Sequence, residues 1–297
     1  MSNDFRCGFA GVVGRPNVGK STLVNAILGQ KVSITSPKPQ TTRHRILGIK
    51  NSAKSQLVFV DTPGINYREA RAINRYMNRA AHGAIADVDV ILLVVEAMNW
   101  TEQDSAVQER ISRAGTPVIL VINKIDLARP RDKALPYVQA CAARGNFDDI
   151  VPVSARRGEN LARLEQVLES KLPSGEPVFP TSMITDRSDR FIAAELIREK
   201  LMRRLDQEVP YRLSVEIEQM KPRRSVLHVG AVIWVERPGQ KAIVIGRSGE
   251  MIKRIGTLAR RDMQRTFGCG VHLDLWVKVK AGWSDDERAL TRLGYVE

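Results

Sequence analysis

A glycine-rich segment near the start of the chain constrains the fold more than any other feature. Residues 14–21 read GRPNVGKS, which fits the phosphate-loop pattern G-x-x-x-x-G-K-[ST]. The segment follows a predicted strand, Phe9–Val13, and opens a predicted helix, Lys20–Leu28. Glycines let the backbone wrap around a phosphate, so that successive N–H groups and the helix N-terminus point at negative charge. We therefore expect Lys20 to reach the β- and γ-phosphates of a nucleotide and the Ser21 hydroxyl to bind Mg²⁺.

Short β-branched segments alternate with helical patterns through the first part of the chain. One pair of strands, Ile46–Lys50 and Leu57–Val60, is joined by a short polar turn and predicts an antiparallel hairpin at a sheet edge. The other predicted strands are Val90–Val95, Val118–Ile122 and Ile150–Val153, and the other predicted helices are Arg71–Ala84, Glu102–Arg113, Arg131–Arg144 and Asn160–Ser170. Such alternation is typical of an α/β domain with a doubly wound, mostly parallel sheet.

A second motif, DTPG at residues 61–64, follows the predicted strand Leu57–Val60. An aspartate at a strand end suits water-mediated contact with Mg²⁺, so we assign that role to Asp61. A glycine just beyond it offers a backbone N–H to the γ-phosphate and can act as a hinge when that phosphate leaves, which is the role we expect for Gly64.

A third motif, NKID at residues 123–126, follows the predicted strand Val118–Ile122 and selects the base. The Asp126 carboxylate can accept hydrogen bonds from guanine N1–H and N2–H₂, a pattern that adenine does not offer. Asn123 is expected to brace the loop and contact the base N7, while the Lys124 stem covers a ring face. Ser154 and Ala155 follow another strand and could present backbone N–H groups to guanine O6.

A polar loop, PKPQTTRHR, lies between the phosphate loop and DTPG. We expect Thr42 to complete the Mg²⁺ shell in the GTP state, with Thr41 as the alternative. Ile65 follows Gly64, so no glutamine is available there to orient the attacking water, and intrinsic hydrolysis should be slow. Asn17 either coordinates K⁺ near the β–γ bridging oxygen, supplying charge there, or only caps its loop.

The predicted site therefore divides by role. The catalytic residues are Lys20, Asn17, Thr42 and Gly64, and the metal-binding residues are Ser21, Thr42 and, through water, Asp61. The nucleotide-binding residues are Gly14, Arg15, Pro16, Asn17, Val18, Gly19, Lys20, Ser21, Thr22, Asp61, Thr62, Pro63, Gly64, Asn123, Lys124, Asp126, Ser154 and Ala155.

The second half of the chain predicts a separate module. The run LPSGEPVFPT at residues 172–181 holds three prolines and a glycine and predicts a linker, which divides the chain into 1–172, a linker at 173–188, and 189–297. The last part predicts an α+β module with a helix over Asp189–Leu205 and a closing strand over Val271–Lys280. Its other predicted strands are Tyr211–Gln219 and Val226–Glu236, and Ala242–Ile245 is a further short apolar run that we interpret as a strand.

The segment VIGRSGEMIKRIG at residues 244–256 contains a GxxG loop, which we expect between a strand and a helix. Such a loop lets a nucleic-acid backbone approach closely. The residues that we expect to bind RNA are Gly246, Arg247, Ser248, Gly249, Lys253 and Arg254. Charge supports this interpretation, because residues 221–265 hold eleven Lys or Arg and three acidic residues, within a chain of net charge +13.

Taken in order, these motifs resemble the Era family of bacterial GTPases. The matching segments are GRPNVGKS, QTTRHR, DTPG, NKID, VIGRSGEMIKRIG and LWVKVKAGWSDDERALTRLGY, so the resemblance covers nearly the whole chain. It implies a P-loop GTPase domain followed by a type II KH RNA-binding domain with a C-terminal helix. The implied partners are GTP or GDP, 16S rRNA and the 30S ribosomal subunit, with Mg²⁺ as cofactor and no DNA, and the implied role is in 30S assembly.

Two other functions are compatible with parts of the pattern. A membrane or signalling GTPase could use the basic surface to bind lipid headgroups, and the Era family is described as loosely associated with the inner membrane. An RNA-modifying enzyme gated by GTP would need a nucleophile or cofactor loop, which the second half of the sequence lacks. No predicted segment is long and apolar enough to span a bilayer, so we expect a cytoplasmic protein, with peripheral contact with the inner membrane left open.

Overall fold

The computed structural model describes residues 5–63, 72–77 and 87–295. These residues form two compact units. The first comprises residues 5–33, 42–63, 77 and 87–186, and the second comprises residues 34–41, 72–76 and 187–295. The units differ from the predicted division of the chain. Residues 173–186, predicted as linker, belong to the first unit, and residues 34–41 and 72–76 belong to the second.

A mostly parallel sheet forms the centre of the first unit. Its strands, within the described residues, are β1 (Arg6–Val13), β2 (Ile46–Asn51), β3 (Ser55–Asp61), β4 (Val90–Glu96), β5 (Val118–Asn123) and β6 (Asp149–Pro152). Their order is β2-β3-β1-β4-β5-β6, and the β2–β3 pair is antiparallel while the remaining pairs are parallel. The predicted sheet and its edge hairpin are confirmed.

Apolar residues on both faces of this sheet are buried, which explains the continuous apolar sequence of β4. One face packs against helices α1 (Lys20–Leu28) and α4 (Leu161–Lys171). The other face packs against α2 (Glu102–Ile111) and α3 (Ala134–Ala142). Of the predicted helix Arg71–Ala84, residues 72–77 are described and helical, and the rest lies outside the described residues.

A buried amide attaches residues 173–186 to the sheet. The Gln56 side chain is fully buried, and its Oε1 accepts hydrogen bonds from the backbone N–H groups of Val178 (2.8 Å) and Phe179 (2.9 Å). Its Nε2 donates to the Phe179 carbonyl at 2.8 Å. Further along, Thr185 forms an antiparallel bridge with Gly48 of β2. Because these backbone groups are satisfied by the sheet, the proline-rich segment is part of the first unit.

The second unit contains a three-stranded sheet of the described residues, flanked by helices. Its strands are β7 (Leu213–Arg223), β8 (Val226–Val235) and β9 (Gly270–Val279), where β7 pairs antiparallel and β9 parallel with β8. The helices are α5 (Asp189–Arg204), α6 (Pro238–Ile245), α7 (Glu250–Phe267) and α8 (Glu287–Arg292). Apolar residues of α5, α7 and the sheet form one core. The predicted α+β module is confirmed.

The prediction of a strand at Ala242–Ile245 is wrong, because these residues form the end of α6. Pro238 occupies the first turn of α6, where its missing N–H costs nothing. The Gln240 side chain accepts hydrogen bonds from the backbone N–H groups of Glu236 (2.9 Å) and Arg237 (3.0 Å), which closes the helix start. The GxxG segment therefore connects two helices. Among the described residues, no helix is long and apolar enough to cross a membrane.

Candidate functional site

The predicted nucleotide motifs lie at the ends of parallel strands of the first unit. The phosphate loop follows β1, DTPG begins at the end of β3, NKID begins at the end of β5, and Ser154 follows β6. Because parallel strands end at the same edge of a sheet, these loops meet there, as ligand-binding loops of open α/β sheets do. The sheet thus gathers segments that are separated by up to 140 residues along the chain.

The phosphate loop passes close to its neighbours. Gly14 has a φ of 147°, and an added Cβ would collide with the carbonyl oxygen of Val94. Val18 is buried, Pro16, Gly19 and Thr22 are partly buried, and Asn17 is exposed with a φ of 68°. The Asn17 side chain makes no hydrogen bond within the described part of the chain, so its amide is available to a ligand.

Lys20 is a buried cation at the start of α1, with 7% of its surface exposed. Its Nζ donates hydrogen bonds to the carbonyl oxygens of Gly14 (2.9 Å) and Arg15 (3.1 Å). Burial lowers the pKa of Lys20 to about 8, although the nearby Asp61 carboxylate raises it. An anion bound in the loop would raise the pKa of Lys20 again, because it would favour the charged form of the ammonium group.

The residues predicted to bind Mg²⁺ come together. The Ser21 hydroxyl donates a 2.7 Å hydrogen bond to Asp61 Oδ2 and lies 2.9 Å from the Thr42 hydroxyl. Asp61 is fully buried, and burial raises the pKa of its carboxyl against the opposing effects of Ser21 and the Lys20 charge. The second carboxylate oxygen of Asp61, Oδ1, has no hydrogen-bond partner among the described residues.

These observations fit a divalent cation. A buried carboxylate with an unpartnered oxygen is stabilised by a nearby positive charge, and two hydroxyl oxygens face the same place. Within the described residues, no group of three or more His, Cys, Asp or Glu side chains could hold a metal ion. Such a cation would therefore depend on hydroxyls, one carboxylate and the ligand's own phosphates, the arrangement that Mg²⁺ commonly uses with nucleotides.

The neighbouring threonine, Thr41, has a different environment in the second unit. Its hydroxyl donates a 2.6 Å hydrogen bond to the Lys38 carbonyl, and its own carbonyl accepts a hydrogen bond from the buried Arg198 guanidinium. In the same segment, the Thr35 N–H donates to Glu199 Oε1 at 3.0 Å. The hydroxyl of Thr41 is thus already engaged, and the geometry favours Thr42 as the metal ligand.

The predicted base-binding loop, residues 123–126, is held by Asn123 and Ser154. Asn123 Nδ2 donates to the Val18 carbonyl at 2.9 Å, and its Oδ1 accepts from the backbone N–H groups of Lys124 (2.8 Å) and Ala155 (3.1 Å). The Ser154 hydroxyl donates to Asp126 Oδ1 at 2.6 Å, which orients that carboxylate. Asn123 therefore connects the base-binding loop to the phosphate loop.

Some residues of the predicted site have side chains that are bound elsewhere in the protein, and one lies outside the described residues. The Arg15 guanidinium is engaged by the Glu96 and Asp104 carboxylates, both at 2.9 Å, so only the backbone of Arg15 remains for a phosphate. The Thr62 hydroxyl donates to the Val12 carbonyl at 3.0 Å and anchors its loop, which the structure describes as far as Pro63. Gly64 lies outside the described residues.

The GxxG loop of the second unit and the start of α7 expose basic residues. Gly246, Ser248 and Gly249 have φ values of 74°, 50° and 79°, so the chain turns sharply between α6 and α7. Arg247 and Ser248 are exposed, and so are Lys253 and Arg254 on the first turns of α7. The three basic residues predicted to bind RNA, Arg247, Lys253 and Arg254, are thus all exposed.

Beside this loop lies a groove of about 460 Å³, between α7 and β9. Sequence analysis identified Lys253 but missed the other residues that line it. They are Ile252, Gly256, Thr257, Arg260, His272, Leu273 and Leu275. The apolar residues suit the faces of nucleobases, and the basic ones suit phosphates. Gly256 is the sequence feature that could have indicated the groove, because a residue without a side chain leaves space between the helix and the strand.

Comparisons with known proteins identify relatives of both parts of the chain. Residues 9–124 match the family described as "50S ribosome-binding GTPase", and residues 208–284 match the KH domain family. The chain is 54% identical to GTPase Era of Azotobacter vinelandii over 99% of this chain and 98% of that protein. It is 53% identical to GTPase Era of Histophilus somni, with 98% and 97% covered.

Solved structures of similar proteins cover the same length. Era in complex with MgGDPNP and nucleotides 1506–1542 of 16S ribosomal RNA has a TM-score of 0.94 and 40% identity, over 99% of this chain and 100% of that one. An Aquifex aeolicus Era variant bound to GDP and AlF₄⁻ also has a TM-score of 0.94, with 39% identity and the same coverage. With relatives this similar over nearly its whole length, the chain belongs to the Era family of GTPases.

Proposed function

We propose that this GTPase binds 16S rRNA near its 3′ end through the KH module and assists assembly of the small ribosomal subunit, under the control of bound GTP. The observation that carries the proposal is the groove beside the GxxG loop, where apolar residues and exposed cations lie together. The related Era protein bound to nucleotides 1506–1542 of 16S ribosomal RNA supports this choice of RNA. We place this action in the cytoplasm, where ribosomal subunits assemble, and contact of the basic surface with the inner membrane stays a separate expectation.

In the proposed nucleotide site, the phosphate loop binds through its backbone N–H groups and the Lys20 ammonium. Ser21, Thr42 and Asp61 would hold Mg²⁺, which neutralises charge on the β- and γ-phosphates. The bound metal in the related Era complex with MgGDPNP supports that assignment. Asp126, oriented by Ser154, accepts hydrogen bonds from guanine, and Asn123 keeps the base-binding loop against the phosphate loop.

The assignment of base selection to Asp126 has a direct test. Asp126→Asn replaces a carboxylate oxygen by an amide donor, so we expect preference to shift from guanine toward xanthine nucleotides. The measurement is a competition titration of labelled GDP with unlabelled GDP and XDP, on the wild type and the variant. Unchanged GDP affinity and selectivity in the variant would show that another residue reads the base.

A K⁺ ligand role for Asn17 is supported by its exposed, unengaged amide in the phosphate loop. We expect faster GTP hydrolysis in K⁺ than in Na⁺ at constant ionic strength, because K⁺ at this position would stabilise charge on the bridging oxygen. Asn17→Ala should remove the difference between the two salts. Equal wild-type rates in K⁺ and Na⁺ would rule out this role.

The GxxG loop offers a matched pair of substitutions at Gly249. An added Cβ at Gly246 would lie 2.6 Å from the Met251 Cβ and disturb the loop itself, whereas nothing lies within 4 Å of one at Gly249. Asp and Asn both tolerate the left-handed backbone found at Gly249. Gly249→Asp places a negative charge where a phosphate should lie, at a cost of about 1 kcal/mol or more. We expect RNA affinity to fall about tenfold.

Filter binding with a single-stranded fragment from the 3′ end of 16S rRNA measures this effect, and Gly249→Asn is the control for the loop backbone. The control should retain most of the RNA affinity, and both variants should bind GTP like the wild type. If Gly249→Asp binds RNA as tightly as Gly249→Asn, the RNA contacts lie away from this loop.

A further inference from the structure

Glu96, the last residue of β4, is bonded to both loops of the nucleotide site. Its Oε1 accepts a 2.8 Å hydrogen bond from Lys124 Nζ, in the base-binding loop. Its Oε2 accepts a 2.9 Å hydrogen bond from Arg15 Nη2, in the phosphate loop. Its side chain is only 23% exposed, so both ion pairs are partly shielded from water. One carboxylate therefore connects two segments that are more than a hundred residues apart.

The surroundings of Glu96 fix it in place. The Glu96 backbone carbonyl accepts a 3.1 Å hydrogen bond from the Tyr137 hydroxyl. Arg15 is held from its other side by Asp104, whose carboxylate is fully buried and also accepts hydrogen bonds from the Thr101 N–H (2.9 Å) and hydroxyl (2.8 Å). Burial raises the pKa of Glu96, but hydrogen bonds from Lys124 and Arg15 lower it by more, so the net pKa is below the ordinary value for glutamate. The carboxylate is therefore charged near neutral pH. The ion pairs are thus part of an ordered network.

The ion pair with Glu96 matters for Lys124 because the Lys124 side chain is expected to cover one face of the guanine ring. Its backbone has a φ of 64°, and the aliphatic stem is the part that can cover the guanine ring. Without a fixed end, a lysine side chain samples many rotamers, and ordering it on binding would cost free energy. Glu96 fixes the ammonium end before the nucleotide arrives.

We propose that Glu96 is a positioning residue for guanine-nucleotide binding. Through one shared carboxylate it holds Lys124 over the base and fixes Arg15 within the phosphate loop. The inference rests on the proposed assignment of these two loops to the base and the phosphates. Glu96 touches neither part of the nucleotide in this account, and it acts through the two cations. Its removal would also leave two positive charges near each other without the anion between them.

The test is a double-mutant cycle with Glu96→Gln and Lys124→Met, which preserve shape and remove the ion pair. We expect each variant to bind fluorescently labelled GDP about tenfold more weakly, since each loses a charged hydrogen bond. The double variant should lose clearly less than the product of the two factors, because the residues act as one unit. For Glu96→Gln, KM for GTP should rise much more than kcat falls.

Glu109→Gln is the matched control, because Glu109 pairs with Arg113 on α2 and both side chains are more than 70% exposed. It should bind labelled GDP like the wild type, and all variants should show a similar midpoint of urea unfolding. Wild-type affinity in Glu96→Gln, or strictly multiplicative losses in the double variant, would overturn the positioning role alone. Failure of the wild type itself to bind labelled GDP would overturn the assignment of the loops as well.

Discussion

A lysine ammonium group buried at the start of α1 is the constraint around which the nucleotide site is organised. Lys20 gives up its hydration and receives in return two backbone carbonyls of the phosphate loop, which close the loop upon itself. Burial lowers its pKa to about 8, because the two carbonyls do not fully replace the water that would surround the charged ammonium in solution. A bound phosphate would stabilise the charged ammonium, and the N-terminus of a helix such as α1 favours the same ligand.

The parallel sheet brings the other loops of the nucleotide site to the phosphate loop. Because the strands end at one edge, the loops after β1, β3, β5 and β6 meet without long connections. Side chains then join the loops in pairs. Asn123 reaches the backbone of the phosphate loop, Ser21 reaches Asp61 and Thr42, and Glu96 reaches both Arg15 and Lys124. Each loop is therefore positioned by another loop as well as by its own strand.

Local patterns predicted the parts of the fold whose causes are local. The apolar runs of the strands, the start of α1 at Lys20 and the order of the motifs could be read directly from the sequence. The strand prediction at Ala242–Ile245 failed because a short apolar run is compatible with both a strand and a helix. Pro238 and Gln240, which begin the helix, distinguish the two. Tertiary partners lie beyond such patterns. Nothing in the sequence around residues 173–186 indicates that Gln56 binds them, and nothing around Arg15 indicates that Glu96 is its ion-pair partner.

Ser21, Thr42 and Asp61 are proposed here as the metal-binding part of the GTP site. The decisive measurement is the affinity of a non-hydrolysable GTP analogue with Mg²⁺ and with EDTA, for the wild type, Thr42→Ala and Thr41→Ala. We expect Mg²⁺ to strengthen binding of the analogue by the wild type and by Thr41→Ala. Thr42→Ala should lose most of that gain and bind GDP with unchanged affinity. If Thr42→Ala keeps the full gain in affinity with Mg²⁺ and Thr41→Ala loses it, Thr41 and not Thr42 binds the metal.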